Sequence, residues 1–131
     1  MPTALLLEDY PSNRQLLSGL LSAAGCEVLE ATNGTDAIET FNDHTAIDLL
    51  VADVGVPGMS GTEVAVKVRE VRSDLPVLFI SGTPISGWRL CDRENLKRLS
   101  THLVEFLEKP LHISTFLAKV RQMLFYRSAS R

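Results

Sequence analysis

Asp53 closes the apolar run Ile47-Asp48-Leu49-Leu50-Val51-Ala52 and stands just before a breaker-rich stretch, Gly55-Val56-Pro57-Gly58-Met59-Ser60-Gly61. A carboxylate delivered to the C-terminal mouth of a buried strand and followed by a loop is placed for chemistry. Two more such mouths occur. Ala4-Leu5-Leu6-Leu7 runs into Glu8-Asp9, and Val104-Glu105-Phe106-Leu107-Glu108 runs into Lys109-Pro110. If these strands are neighbours in one parallel sheet, acids and an ammonium converge. Carboxylates brought together repel by about 4 kcal/mol for a pair 4 Å apart at an effective dielectric near 20, so a cation is needed to offset them. Mg2+ suits the donor set: it takes carboxylate, carbonyl and water oxygens in an octahedron and commonly holds phosphoryl oxygens as well. Asp9 and Asp53 are the expected direct ligands, with Glu8 binding directly or through water, and Mn2+ is the natural substitute. Asp53 then becomes a nucleophile able to form an acyl-phosphate. Lys109 can pair with one phosphoryl oxygen and the Ser81 hydroxyl can bond another.

The elements that must position these residues are legible as an alternation of strand-like and helix-like segments, the signature of an α/β fold with a parallel sheet. Thr3 to Leu7 is the first strand. Pro11-Ser12-Asn13 opens a helix with Leu16, Leu17, Leu20, Leu21 and Ala24 at the 3.6 period, stopped by Gly25. Cys26 to Ala31 is the second strand, and Asn33-Gly34-Thr35-Asp36 precedes a short helix marked by Ala37, Ile38 and Phe41. The third strand, Ile47 to Ala52, leads to a helix from Gly61-Thr62 with Val64, Val68 and Val71 on one side, ended by Ser73-Asp74 and Pro76. Val77 to Ile80 is the fourth strand. Gly82, Pro84 and Gly87 forbid an early helix after it, while Leu96, Leu99 and Leu103 suggest one from about Asp92. Val104 to Leu107 is the fifth strand, and the last helix starts near Ile113 with Phe116, Leu117, Val120, Met123 and Leu124. One domain over 1–125 and a flexible tail over 126–131 are expected. In open sheets of this kind ligands bind beyond the carboxyl ends of the strands. A lone Asp after an apolar run is more often a turn or capping residue; Glu8, Asp9, Asp53, Ser81 and Lys109 together, all at strand ends, reverse that reading.

Composition excludes several other classes. The balance of 45% apolar and 22% charged residues is that of a globular chain, and no stretch approaches the roughly 20 apolar residues of a membrane span. No basic signal region follows Met1, and the cytoplasm is the expected compartment. A net charge of -3 offers no general attraction to phosphate backbones, so direct nucleic-acid binding is not expected. Cys26 and Cys91 lack a CxxC spacing and read as reduced thiols without a disulfide, while His44, His102 and His112 share no metal-ligand spacing. Where a dinucleotide-binding fold would carry G-x-G-x-x-G after the first strand, Glu8-Asp9-Tyr10-Pro11 stands instead.

These residues carry a family resemblance. The acidic pair Glu8-Asp9, the segment Asp53 to Gly61, Ser81-Gly82, and Phe106-Leu107-Glu108-Lys109-Pro110 resemble the motifs of a response regulator receiver domain, the phosphoacceptor half of two-component signalling, over Thr3 to about Phe125. The resemblance implies a flavodoxin-like, doubly wound, five-stranded parallel sheet in the order 2-1-3-4-5 with helices on both faces. It also implies that Asp53 accepts phosphate from a histidine kinase or phosphotransfer protein. Asp9, Asp53 and the Gly55 backbone carbonyl would hold Mg2+, and the Lys109-Pro110 peptide would be cis. Ser81 and Phe106 would be the switch pair, although Phe106 also reads as a plain core aromatic. On this reading the chain is a phosphoacceptor with at most self-phosphorylation and self-dephosphorylation activity. It would switch protein contacts, since nothing after Phe125 is long enough to be an effector. A Mg2+-dependent phosphohydrolase with an aspartyl-phosphate intermediate and a non-phosphorylated interaction module are the alternatives.

Two departures from the family pattern stand out. Gly55, two residues after Asp53, offers no side chain to shape the path of a hydrolytic water. From Ser81 to Lys109 the chain is longer than the family usually allows, and Gly82-Thr83-Pro84-Ile85-Ser86-Gly87-Trp88 is unlike its usual helix start, so an atypical, extended region with a displaced or shortened fourth helix is expected. Trp88 with Arg89, Arg93, Lys97 and Arg98 reads either as a surface for a downstream partner within 82–103 or as a tryptophan tucked over the core among solvated charges.

Overall fold

Five strands, β1 (Thr3–Leu7), β2 (Glu27–Ala31), β3 (Leu49–Asp53), β4 (Val77–Ser81) and β5 (Val104–Glu108), pair in parallel in the order β2-β1-β3-β4-β5. The computed structural model describes residues 1–44, 46–99 and 102–129, with side chains as far as Phe125. The helices are α1 (Pro11–Ala23), α2 (Gly34–Asp43), α3 (Gly61–Val71), α4 (Leu90–Arg98) and α5 (Ile113–Ala129), and a single 3-10 turn at Ile85–Gly87 precedes α4. Each of the helices α1 to α4 connects two successive parallel strands, as crossover geometry requires, and α5 follows the last strand. The doubly wound α/β architecture and the 2-1-3-4-5 order are those implied by the sequence resemblance.

Alternation along the strands sorts the core into two layers. Leu5, Leu7, Leu50, Ala52, Val77 and Phe79 face a layer that includes Ala37 and Phe41 of α2, Val64, Ala65 and Val68 of α3, and Leu99 just after α4. Ala4, Leu6, Leu49, Val51, Leu78 and Ile80 face Leu17 and Leu21 of α1 and Phe116, Val120 and Met123 of α5. The three central strands β1, β3 and β4 are buried almost throughout, so they read as continuous apolar runs, while the edge strands β2 and β5 do not.

Local signals set the helix starts. The Asn33 side chain accepts from the Asp36 N–H at 2.9 Å, and the Ser60 hydroxyl accepts from the Glu63 N–H at 3.4 Å, capping α2 and α3. Pro11 occupies the first turn of α1, where its missing N–H is no loss. At two places the sequence expectation shifts. The inner face of α3 is Val64, Ala65, Val68 and Arg69, whereas Val71, expected there, is exposed at the helix end. Leu103 lies outside α4, in the turn before β5, with φ +57°.

Candidate functional site

The register of the sheet assembles the site. Leu7 pairs with Ala52 and Asp53 with Ile80, so Glu8, one residue past Leu7, stands level with Asp53, and Ser81 is one step beyond it. Ser81 pairs with Glu108, which brings Lys109 to the same end of the sheet. The strand mouths named from sequence therefore do converge.

The geometry is that of an acidic cradle with one cation. Lys109 Nζ lies 2.6 Å from Asp53 Oδ2 and 3.4 Å from Glu8 Oε1. The Gly55 N–H donates to Asp53 Oδ1 at 2.7 Å, so each oxygen of Asp53 has a donor. Glu8 is 0% exposed and Asp53 7%, whereas Asp9 faces solvent. Arg14 holds the turn after β1 through its Nη1, which donates to the backbone carbonyls of Glu8 and Asp9 at 3.2 and 3.3 Å. The chain entering α3 is pressed against the back of Asp53: a Cβ on Gly61 would lie 2.5 Å from the Asp53 carbonyl oxygen, so only glycine fits there. Gly58, with φ +76°, makes the turn that brings Gly61 in. The Lys109-Pro110 peptide is cis.

Electrostatics divide the acids. Burial, a hydrogen bond shared with Asp53 and the Asp53 charge push Glu8 up to about 7, against the pull of Lys109. Burial acts on Asp53 in the same upward direction, but hydrogen bonds from Glu8, Lys109 and the Gly55 N–H hold its carboxyl below the usual range. Lys109 is raised: burial would lower it, and its bonds and proximity to Asp53 and Glu8 outweigh that. At neutral pH Asp53 is therefore ionised, with the Lys109 ammonium as its partner.

The residues fit a divalent cation. One carboxylate oxygen from each of Glu8, Asp9 and Asp53 lies within 4.8 Å of the others. Glu8 Oε2 is buried without a hydrogen-bond partner, the only such side-chain atom among the described residues. A hard cation with oxygen ligands answers both the shared negative charge and the orphaned oxygen. Asp9 and Asp53, with Glu8 directly or through water, would be the holding residues.

Ser81 is brought to the site, but its hydrogen bonds run to Thr83 and Trp88. Trp88 is only 6% exposed, with its ring 6.1 Å from that of Phe79 and 5.9 Å from that of Phe106. Of the two readings that the sequence left open, the structure has the second: Trp88 is tucked over the core. Phe106, 38% exposed on edge strand β5, stacks on Phe79 at 5.8 Å. Sequence reasoning also passed over Asp92, which is buried at the start of α4. Its Oδ1 accepts from Ser60 Oγ at 2.6 Å and Thr62 Oγ1 at 2.5 Å, and its Oδ2 from Arg89 Nε at 3.2 Å. The signal available was weak: an acid in the first turn of a helix with no apolar stripe around it.

The fold and this constellation define a class of protein, the receiver domain. The family model for the response regulator receiver domain matches residues 4–121, and the chain belongs to that family, part of two-component systems. It is 33% identical over 119 residues to the sensor protein EvgS of Escherichia coli K12, covering 91% of this chain and 9% of that protein. A response regulator receiver domain protein (CheY-like) from Methanospirillum hungatei superposes with TM-score 0.85 at 18% identity, over 100% of this chain and 99% of that one. Chemotaxis protein CheY4 of Vibrio cholerae superposes with TM-score 0.79 at 26% identity, over 94% of this chain and 98% of that one. The chain thus spans about a tenth of EvgS and nearly all of the isolated receivers it resembles. Receiver domains in general are phosphoacceptors that bind Mg2+ in an acidic pocket and interact with histidine kinases or phosphotransfer proteins. No helix of the described residues is long and apolar enough to cross a membrane.

Proposed function

We propose that this domain accepts a phosphoryl group on Asp53 from a phosphohistidine of a sensor kinase or phosphotransfer protein, and that the acyl-phosphate changes its protein contacts. The observation that carries the reading is the environment of Asp53: ionised, almost buried, bonded by Lys109 at 2.6 Å and set among the Glu8 and Asp9 carboxylates. Asp53 Oδ attacks phosphorus, the P–N bond to the donor imidazole breaks, and its electron pair remains on the imidazole nitrogen. Asp9, Asp53 and the Gly55 carbonyl, with Glu8 directly or through water, would hold a Mg2+ ion, which when bound would neutralise charge at the transferring group. Lys109 gives up its contact with the attacking carboxylate to pair with a phosphoryl oxygen, and the Ser81 hydroxyl turns to donate to another. A cavity of about 490 Å³ beside Lys109, bounded by Leu16 and Leu17 of α1 and by Pro110 and Leu111, gives a donor side chain room to approach.

Phosphate adds about two charges and three acceptors, enough to draw in a hydroxyl and an ammonium and to bias a bistable segment. Ser81 and Phe106 are the expected switch pair. The exposed face of α4, carrying Arg93, Lys97 and Arg98, is the expected output surface within 82–103. The experiment is incubation with Mg2+ and acetyl phosphate followed by intact-mass measurement. A gain of one phosphoryl group that is absent in Asp53→Asn supports the reading. Unmodified protein at every time point, with donor intact, would refute it, and catalytic release of phosphate from many donors would move the reading to a hydrolase.

A further inference from the structure

A serine hydroxyl has one hydrogen to donate and two lone pairs with which to accept. In Ser81 all three are engaged. Its O–H donates to the Thr83 carbonyl at 2.8 Å, and its oxygen accepts from the Thr83 N–H at 3.1 Å and from the Trp88 indole N–H at 3.1 Å. The indole N–H is shared, with the Thr83 carbonyl as its other acceptor at 3.0 Å. Nothing in this set is directed at Asp53.

We propose that Trp88 is a positioning residue for Ser81: its indole N–H holds the hydroxyl away from Asp53, and Ser81 must leave that bond to reach a phosphoryl group. The inference rests on Asp53 being the phosphoacceptor. The exchange leaves the Thr83 N–H to solvent, which reaches this exposed residue, and the other groups keep a partner. When the hydroxyl turns, the indole N–H keeps the Thr83 carbonyl, and that carbonyl, having lost the serine, keeps the indole, so no buried donor is orphaned. What changes is the position of the indole, from a shared bond to a single one. Its ring touches those of Phe79 and Phe106, and Arg89 follows it at the start of α4, so the displacement is felt by the exposed aromatic of β5 and by the entry to α4 together. Trp88 thereby reads the state of Ser81 ahead of Phe106.

Trp88 is the single tryptophan of the chain, so fluorescence excited at the red edge, where tyrosine does not absorb, reports it alone. The test follows emission and intact mass on the same samples of the full chain with Mg2+ and acetyl phosphate. The expected result is an emission change in step with the gain of one phosphoryl group. Trp88→Phe, which keeps a ring but lacks the N–H, takes up phosphate roughly two- to fivefold faster, because the competent orientation of Ser81 is more populated once a shared hydrogen bond is removed. A merely structural tryptophan would leave that rate unchanged or lower it. Phosphoryl gain with constant emission, or a Trp88→Phe rate equal to or below that of the parent, overturns the inference and leaves Asp53 as phosphoacceptor. No phosphoryl gain in the parent protein overturns both.

Discussion

Glu8 is wholly buried, and its Oε2 has no hydrogen-bond partner, so ionised Glu8 is a net burden on the metal-free fold. The perturbation that exposes this is Glu8→Gln, which keeps shape and polarity and removes the charge. Glu8 ionises at 4.5 when unfolded and near 7 when folded, because burial and the neighbouring Asp53 oppose its charge. The sign follows from proton counting. Below 4.5 both states are protonated; between 4.5 and about 7 the native state alone keeps the proton, so stability falls as pH rises across that window. At 1.36 kcal/mol per pH unit the full penalty is about 3 kcal/mol above pH 7. The glutamine amide still needs partners in the same cradle, so Glu8→Gln is expected to stabilise the metal-free protein by about 1–3 kcal/mol near pH 8.5 and by little near pH 5. For a 131-residue domain each kcal/mol moves the melting midpoint by roughly 3–6 °C. Urea unfolding in the presence of a chelator at the two pH values measures the difference. Mg2+ added at high pH should raise the parent more than the variant, since a cation that binds only the folded state adds about 1.4 kcal/mol per tenfold excess over its Kd. An equal effect of the substitution at both pH values, or a parent more stable than Glu8→Gln at high pH without metal, would show the reasoning about Glu8 to be wrong.

The other expectations concern the frame around the site. Lys109→Met removes the ammonium 2.6 Å from Asp53 and should slow phosphoryl uptake from acetyl phosphate about 10- to 100-fold, read by intact mass. Asp92→Asn should destabilise by about 1–3 kcal/mol, because a buried acceptor of three hydrogen bonds is weakened. Burial raises Asp92, but the Ser60, Thr62 and Arg89 bonds bring it below the usual 3.8, so its contribution is present above that value and is lost as pH falls through the lower folded one. The gap between parent and Asp92→Asn in urea titrations should therefore close on the acid side. Gly61→Ala should cost about 1–3 kcal/mol in the same assay, since its methyl meets the Asp53 carbonyl at 2.5 Å and Ala52 Cβ at 3.2 Å.

Most of the sheet and of the acidic cradle was legible in the sequence for one physical reason. Parallel strands end at nearly the same level, so the residue that follows each apolar run is automatically beside its counterparts, and Glu8, Asp53, Ser81 and Lys109 needed no further information to meet. What periodicity could not supply lay at element ends and edges. Leu16, on the correct α1 stripe, is 51% exposed, and Val71, the last residue of α3, is exposed as well. Phe106 alternates as a core residue should, yet β5 is an edge strand and leaves it partly open. Arg69 and Asp92 were hidden by their charge. Arg69 occupies the same face as Ala65 and Val68, and its Nε donates to the Leu75 carbonyl at 2.9 Å, so spacing placed it inside while residue type argued against it. Trp88 carried no signal of its depth, because its place depends on Gly82, Pro84 and Gly87 turning the chain back over Ser81.

Those same residues determine how a change at Asp53 could travel. The start of α4 is tied down at two points, and both lead to Asp53 in a few steps. One is the Asp92 carboxylate on Ser60 and Thr62, next to Gly61, whose backbone lies against the Asp53 carbonyl. The other is the Trp88 indole on Ser81 and Thr83. Unequal strength makes them unequal in role. The Asp92 tie is charge-assisted, short and doubled, whereas the indole divides one hydrogen between two acceptors at 3.0 and 3.1 Å. A displacement of Ser81 therefore loosens the tryptophan end first, with the Asp92 end as pivot. Coupling between sites requires a contact whose free energy differs between two states; on the proposed switch the indole contact is such a contact, since a phosphoryl group on Asp53 would compete for the Ser81 hydroxyl that it holds. On that proposal the segment from Gly82 to Arg89, which lies between β4 and α4, takes up the motion.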